Sequence, residues 1–181
     1  RCCTQNGVRG GSATVHFPIW HQEIEDILVL KNNKGTEDNR VRKLDYSIQI
    51  SELFYKRFIN DEDVSLFSPH DVDNLYDVYG SPEFDALYEK YERNKKIPRK
   101  TIGAQKLFME LLKERAETGR IYIMNIDHCN THSSFKDKVY MSNLCQEITL
   151  PTKPIKHIDD PEGEIALCIL SAINLGMRRE K

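Results

Sequence analysis

The sequence predicts an α/β domain with parallel strand pairing. Three observations predict it: short alternating or apolar runs of strand length, longer segments with apolar residues at helical spacing between them, and no internal repeat or low-complexity tract. With 181 residues and 39% hydrophobic content, the chain can bury the core of one ordinary domain.

The chain opens on a shaped loop, residues 3–11, where Gly7, Gly10 and Gly11 permit backbone dihedrals closed to other residues. Ala13 to Phe17 has the length of a short strand. Ile19 to Leu30 follows as a helix on the spacing of Ile24, Ile27, Leu28 and Leu30, and the polar stretch Lys31 to Asn39, which contains Gly35, ends it. Tyr46 to Ile50 alternates with period two and is a strand; Ser51 then caps a helix that runs to about Ile59. Val64 to Phe67 is a further strand. Ser81-Pro82-Glu83 is a helix start, leading into Phe84 to Tyr91. Lys100 to Thr118 reads as the clearest helix, with Ala104, Leu107, Phe108, Leu111 and Leu112 on one stripe and Gly119 just past its end. Ile121 to Met124 is a strand, Asn125 to Lys138 a polar connection, and Leu144 to Leu150 a short mixed segment ended by Pro151 and Pro154. Ile165 to Leu170 is apolar throughout, which fits a strand buried on both faces and leaves a helix open.

Composition excludes several function classes. Lysine and arginine number 26 against 28 aspartate and glutamate, giving a net charge of −2 with no long single-sign block, so a nucleic-acid partner is not indicated. No apolar run approaches the roughly 20 residues of a membrane span, and the N-terminus lacks a signal-peptide core. A soluble, cytoplasmic protein is expected. The chain begins at Arg1, so it is expected to be the interior of a longer polypeptide. Its cysteines (Cys2, Cys3, Cys129, Cys145 and Cys168) are odd in number and scattered, unlike the framework of a small secreted domain.

Chemistry gathers at Ser142-Asn143-Leu144-Cys145-Gln146-Glu147. In an extended segment Asn143, Cys145 and Glu147 point to one side, so an amide, a thiol and a carboxylate would converge on one small polar molecule. From spacing alone, a strand with a solvated face and one semi-buried cysteine is the commoner meaning.

The motif Ser142 to Ile148 with Leu150-Pro151-Thr152 resembles the finger-loop signature of the large, catalytic subunits of class I ribonucleotide reductases. Three other stretches resemble the same family in the same order: Gly7-Val8-Arg9-Gly10-Gly11, Asn125 to His132, and Gly163 to Cys168. The resemblance runs from about Arg1 to Gly176.

It implies part of a ten-stranded α/β barrel, residues 1–176, with a finger loop near 140–150 threaded through the centre and a specificity loop near 3–11. By position in the motif, Cys145 is the radical cysteine that takes the 3′ hydrogen of a ribonucleoside diphosphate. Glu147 is the general base for the 3′ hydroxyl, and Asn143 hydrogen-bonds the ribose hydroxyls. Cys168 matches the second redox cysteine, whose partner is expected upstream of Arg1. Without the family, its apolar neighbours more often mean an inert core thiol. Gln5 and Arg9 match positions that read a nucleotide base, although a glycine-rich loop with one arginine is by itself more often a plain turn. Asn6 departs from relatives that carry glycine there, and asparagine tolerates the left-handed geometry.

No cofactor is expected in this chain. The resemblance implies allosteric ATP or deoxynucleotides, a small radical-generating subunit that holds the metal centre, a thioredoxin- or glutaredoxin-type reductant, and a homodimer of the full subunit. Asp127, His128, Cys129 and His132 cluster in sequence, yet no second cluster completes a zinc site, so no metal is expected there. Tyr46, Tyr122 and Tyr140 are expected to pack. Met177 to Lys181 forms a charged tail where the family would continue its barrel, and an interrupted coding sequence with a complementary chain is the expectation drawn from it. A non-catalytic nucleotide-binding fragment is the alternative.

Overall fold

A computed structural model describes residues 4–166 and 171–176. In chain order the elements are β1 (Thr4–Gln5), β2 (Arg9–Gly10), β3 (Thr14–Pro18), α1 (Ile24–Leu28), β4 (Asp45–Ile50), α2 (Glu52–Ile59), β5 (Asp63–Leu66), α3 (Phe84–Arg93), β6 (Lys100–Gly103), α4 (Ala104–Thr118), β7 (Ile121–Asn125) and α5 (Ile126–Thr131). The architecture is mixed α/β. Its main sheet has the order β3-β4-β7 and is parallel throughout, while β1-β2 and β5-β6 are antiparallel pairs.

The central strand β4 is buried on both faces. On one face Tyr46, Ile48 and Ile50 meet Ile24, Ile27 and Leu28 of α1, Phe54 of α2, and Leu107 and Leu111 of α4. Each such side chain contributes roughly 1.5–3 kcal/mol by leaving water. A second cluster, with Phe67, Leu75, Tyr79, Phe84, Tyr88, Met124 and Ile126, lies beyond the C-terminal end of the sheet. The hydroxyls of its two most buried tyrosines are satisfied internally. The Tyr79 hydroxyl donates to the Gln49 carbonyl at 2.7 Å, and that of Tyr88 donates to the Ser65 carbonyl at 2.6 Å.

Four differences from the sequence reading have physical causes. The first helix is limited to Ile24–Leu28, because the backbone before it is engaged elsewhere: Ile19 N–H donates to Gln49 and Gln22 N–H to Phe67. Lys100–Gly103 is a strand paired with Asp63–Leu66, so the long helix starts only at Ala104. This pair is antiparallel, so parallel pairing holds for the main sheet alone. Ile126–Thr131 is helical despite its polar composition, with only Ile126 buried.

Other expectations hold. Gly119 ends α4 in the left-handed conformation, φ 67°, with its N–H on the Arg115 carbonyl. Asn6 adopts φ 51° and Gly7 φ 70° at the turn of the β1-β2 hairpin, where Gln5 and Arg9 are backbone partners. Cys168 and the tail 177–181 lie outside the described residues. Among the described residues, no helix is long and apolar enough to cross a membrane.

Candidate active site

Register decides which side chains share a face. His16 pairs with Ser47 and Ser47 with Tyr122; in a later row Pro18 pairs with Gln49 and Gln49 with Met124. Alternation puts all of these opposite the apolar face of Tyr46, Ile48 and Ile50. Ser47 and Gln49 have no exposed surface. An unpaired polar group in such a place costs about 1–3 kcal/mol, so the face needs hydrogen-bond partners.

Residues 140–148 supply most of them by lying across it, with His16 Nδ1 and Gln49 Oε1 left without a partner among the described residues. The Thr14 hydroxyl donates to the Leu144 carbonyl at 2.6 Å, and His16 Nε2 approaches the Ser142 carbonyl at 3.2 Å. The Ser47 hydroxyl donates to Gln146 Oε1 at 2.7 Å, and Gln146 Nε2 donates onward to the Ile123 carbonyl at 2.8 Å. Gln49 Nε2 donates to the Tyr140 carbonyl. All three strands of the sheet therefore grip one loop.

The loop is a closed turn, which corrects the expectation of an extended segment. Gln146 sits at φ 63° with its N–H on the Asn143 carbonyl at 3.2 Å, and the Asn143 side-chain oxygen accepts the Ile148 N–H at 3.0 Å. A left-handed residue interrupts the two-residue alternation, and the asparagine side chain takes the place of a neighbouring strand. Asn143 is half-buried and occupied by that bond, whereas Cys145, a free thiol, and Glu147 are exposed. The turn thus brings the three onto one short loop, with Glu147 open to solvent.

Beside the loop lies a cavity of about 610 Å³ lined by Tyr76, Tyr140, Ser142, Asn143, Lys153 and Glu164 among others. Cys145 and Glu147 are not among its lining residues. Tyr140 stacks on Tyr76 with centroids 6.2 Å apart, and the Lys138 ammonium lies 4.7 Å from the Tyr140 ring centroid. Burial pushes Lys138 down to about 8, against the pull of Asp77, Glu83 and Asp127. Burial also lowers His16, partly opposed by its bond to the Ser142 carbonyl.

Gln146, Ser47, Gln49, His16 and Thr14 are the residues sequence reasoning missed. One signal was present: Ser47 and Gln49 alternate with Tyr46, Ile48 and Ile50 in a segment flanked by strong helices, so the polar face had to meet something. Asp127 accepts the Glu52 N–H at the start of α2, and burial raises its carboxyl above the ordinary range. His128 and His132 pack edge to face. Among the described residues, no three His, Cys, Asp or Glu side chains gather as metal ligands. Tyr46 is buried in the core with its hydroxyl on the Val41 carbonyl at 2.9 Å.

These features define a class: α/β domains that carry a cysteine on a loop clamped over the polar face of a parallel sheet. The model of the family described as ribonucleotide reductase, barrel domain, matches residues 1–180, and the chain belongs to that family. The ribonucleoside-diphosphate reductase subunit alpha of Buchnera aphidicola subsp. Schizaphis graminum is 56% identical over 98% of this chain. The ribonucleoside-diphosphate reductase 1 subunit alpha of Escherichia coli is 54% identical over 86% of it, and the large subunit of Arabidopsis thaliana 37% over 93%. The chain spans about a quarter of the length of the first of these, 24%, and 21% and 20% of the others.

Proposed function

We propose that this chain is a segment of a catalytic subunit that reduces ribonucleoside diphosphates to deoxyribonucleoside diphosphates. The observation that carries the reading is Cys145, a free and exposed thiol on a loop held by all three strands of the main sheet. A residue that must abstract a hydrogen atom from a fixed carbon needs a rigid mount, because small misplacements at a reacting atom cost large factors in rate.

In this reading residues 140–150 are the finger loop of a ten-stranded barrel. Cys145, as a thiyl radical, takes the hydrogen atom from C3′ of the ribose. Glu147 accepts the proton of the 3′ hydroxyl, and Asn143 orients the hydroxyls through its amide. The 2′ hydroxyl leaves as water. Cys168 and a second cysteine outside this chain supply two electrons and two protons and become a disulfide, after which Glu147 gives its proton back to the 3′ oxygen and Cys145 returns a hydrogen atom to C3′ and is a thiyl radical again. Closure of the remaining barrel around the loop supplies the water-poor surroundings that the exposed Glu147 lacks here.

The same reading assigns Gln5 and Arg9 to a loop that senses the base, and ATP or deoxynucleotides to allosteric regulation. It adds a small subunit as radical source, a thioredoxin or glutaredoxin as reductant of the disulfide, a homodimer of the full subunit and a cytoplasmic setting.

Cys145→Ser tests the reading in the full subunit reconstituted with its small subunit. Deoxynucleotide formation is expected to vanish while ribonucleoside diphosphate still binds, since a hydroxyl preserves size but not hydrogen-atom chemistry. Multiple turnovers by this variant would overturn the assignment.

A further inference from the structure

We propose that Gln146 is a positioning residue that sets the height and direction of Cys145 over the sheet. The inference rests on the function proposed above and adds to it a residue whose type contributes no chemistry of its own.

Gln146 lies between the two exposed groups of the loop, and its side chain turns the opposite way, into the sheet. Its amide is used at both ends. The oxygen accepts from Ser47 of β4 at 2.7 Å and the nitrogen donates to the Ile123 carbonyl of β7 at 2.8 Å, so one side chain ties the turn to two adjacent strands. Ser47 is fully buried and sits in a row with His16, whose ring meets the carbonyl of Ser142 on the near limb of the same turn. Thr14 holds Leu144, directly before Cys145. The residues flanking Cys145 are thus fixed from three strands, while the cysteine makes no hydrogen bond of its own among the described residues.

The backbone at Gln146 supports the argument independently. A glutamine at φ 63° is in a region costly for most residues other than glycine and asparagine, and it persists only where the surroundings over-determine it. The two side-chain bonds, with the N–H on the Asn143 carbonyl, are what over-determine it here. Without them the turn can relax toward the extended form, which rotates the Cys145 side chain away from its present direction.

The test compares wild type, Gln146→Leu, Ser47→Ala and the double variant in the full reductase with its small subunit. The readouts are kcat and KM for ribonucleoside diphosphate, amide hydrogen exchange of residues 141–149, and melting. Gln146→Leu keeps a side chain of comparable bulk, though shorter, and removes both bonds. It is expected to lower kcat about tenfold or more with KM within about twofold, and to speed exchange in the loop at nearly unchanged melting temperature. Ser47→Ala is expected to produce a smaller fall in kcat, and no further fall in the Gln146→Leu background, because it acts through the same contact. A kcat within about twofold of wild type for Gln146→Leu, or additive losses in the double variant, would overturn the proposal. If Gln146→Leu does not fold, Ser47→Ala alone decides, since it leaves the left-handed residue in place and removes one bond: unchanged kcat and loop exchange would then overturn it. Failure of wild type to reduce ribonucleotides would overturn the proposed function instead, and loop exchange in the variants would still decide whether Gln146 fixes the turn.

Discussion

His16 joins electrostatics to the loop through a single ring. Its Nε2 faces the Ser142 carbonyl and its Nδ1 is buried without a partner among the described residues, so the neutral ring with its proton on Nε2 satisfies the geometry. Burial lowers its pKa below the ordinary 6.5. Between the lowered value and 6.5 the unfolded chain binds more protons than the folded one. Stability conferred by the neutral ring is therefore present above 6.5, is lost as pH falls through that window, and levels off below the folded value. His16→Gln keeps a donor for Ser142 and removes the titration. Melting followed from about pH 7.5 to about pH 5 is expected to fall less steeply in this variant than in wild type. His21, whose pKa burial also lowers, is present in both proteins and cancels. Equal slopes would show that His16 does not titrate across folding. At this scale Asn143, Cys145 and Glu147 could be singled out together because they stand in one motif, and the roles proposed for them rest on the resemblance. Gln146 was not: its role depends on Ser47 and Ile123, far away in sequence, and a glutamine between a thiol and a carboxylate reads as a spacer.

Elements were legible where periodicity and end signals agreed, as in α2, α3 and most of α4, and in β4, where alternation is strict. They were illegible where tertiary pairing overrode local pattern. Lys100–Gly103 runs directly into α4 in sequence, yet its ladder with β5 takes the backbone first. Turn glycines show the same division. Gly119, at φ 67°, has open space where a Cβ would be, and its place after a helical stripe announced it. Gly80 carries no such signal. At φ 83° its missing Cβ would lie 2.7 Å from Ile126 Cγ1 and 3.0 Å from the Ile126 carbonyl oxygen, so α5 packs directly on the turn before α3. A backbone oxygen cannot give way as a side chain can. Gly119→Ala is expected to cost about 1–2 kcal/mol, the left-handed penalty alone. Gly80→Ala adds overpacking and is expected to cost about 2–4 kcal/mol. Asn130 donates to both the Ile126 and Val139 carbonyls, so displacing α5 also disturbs the chain leading into the loop. Denaturant unfolding of the two variants measures the difference, and equal costs would mean that α5 does not press on the turn.

At the scale of the whole molecule, the two sides of the sheet are covered differently. Helices α1, α2 and α4 cover the apolar face, whereas among the described residues the polar face is covered by the loop 140–148 and, around Met124, by the second cluster, with Cys145 and Glu147 exposed on the loop. Large apolar side chains stand out from the C-terminal part of the described chain: Ile158 is 96% exposed, Ile173 86% and Leu175 91%. Among the described residues the main sheet ends at β3 and at β7, and strand edges of this kind recruit further strands. The family is described as a barrel domain, and the chain spans 24% of the length of one relative. The 181-residue polypeptide expressed by itself is therefore expected to self-associate through those edges and apolar residues. Co-expression with the remaining barrel sequence of a close relative should bury them. Because a partner that binds only the folded state adds to stability, the complex is expected to be soluble, to melt well above the isolated chain, and to lose exposure of Cys145 to alkylating reagents as the loop becomes enclosed. Alkylation rates at Cys145, compared with the half-buried Cys129 in the same molecule, read the enclosure directly. An isolated chain that is monomeric and cooperatively folded, with a Cys145 alkylation rate unchanged by the added barrel, would show that the polar face is complete as it stands and that no further strands close over the loop.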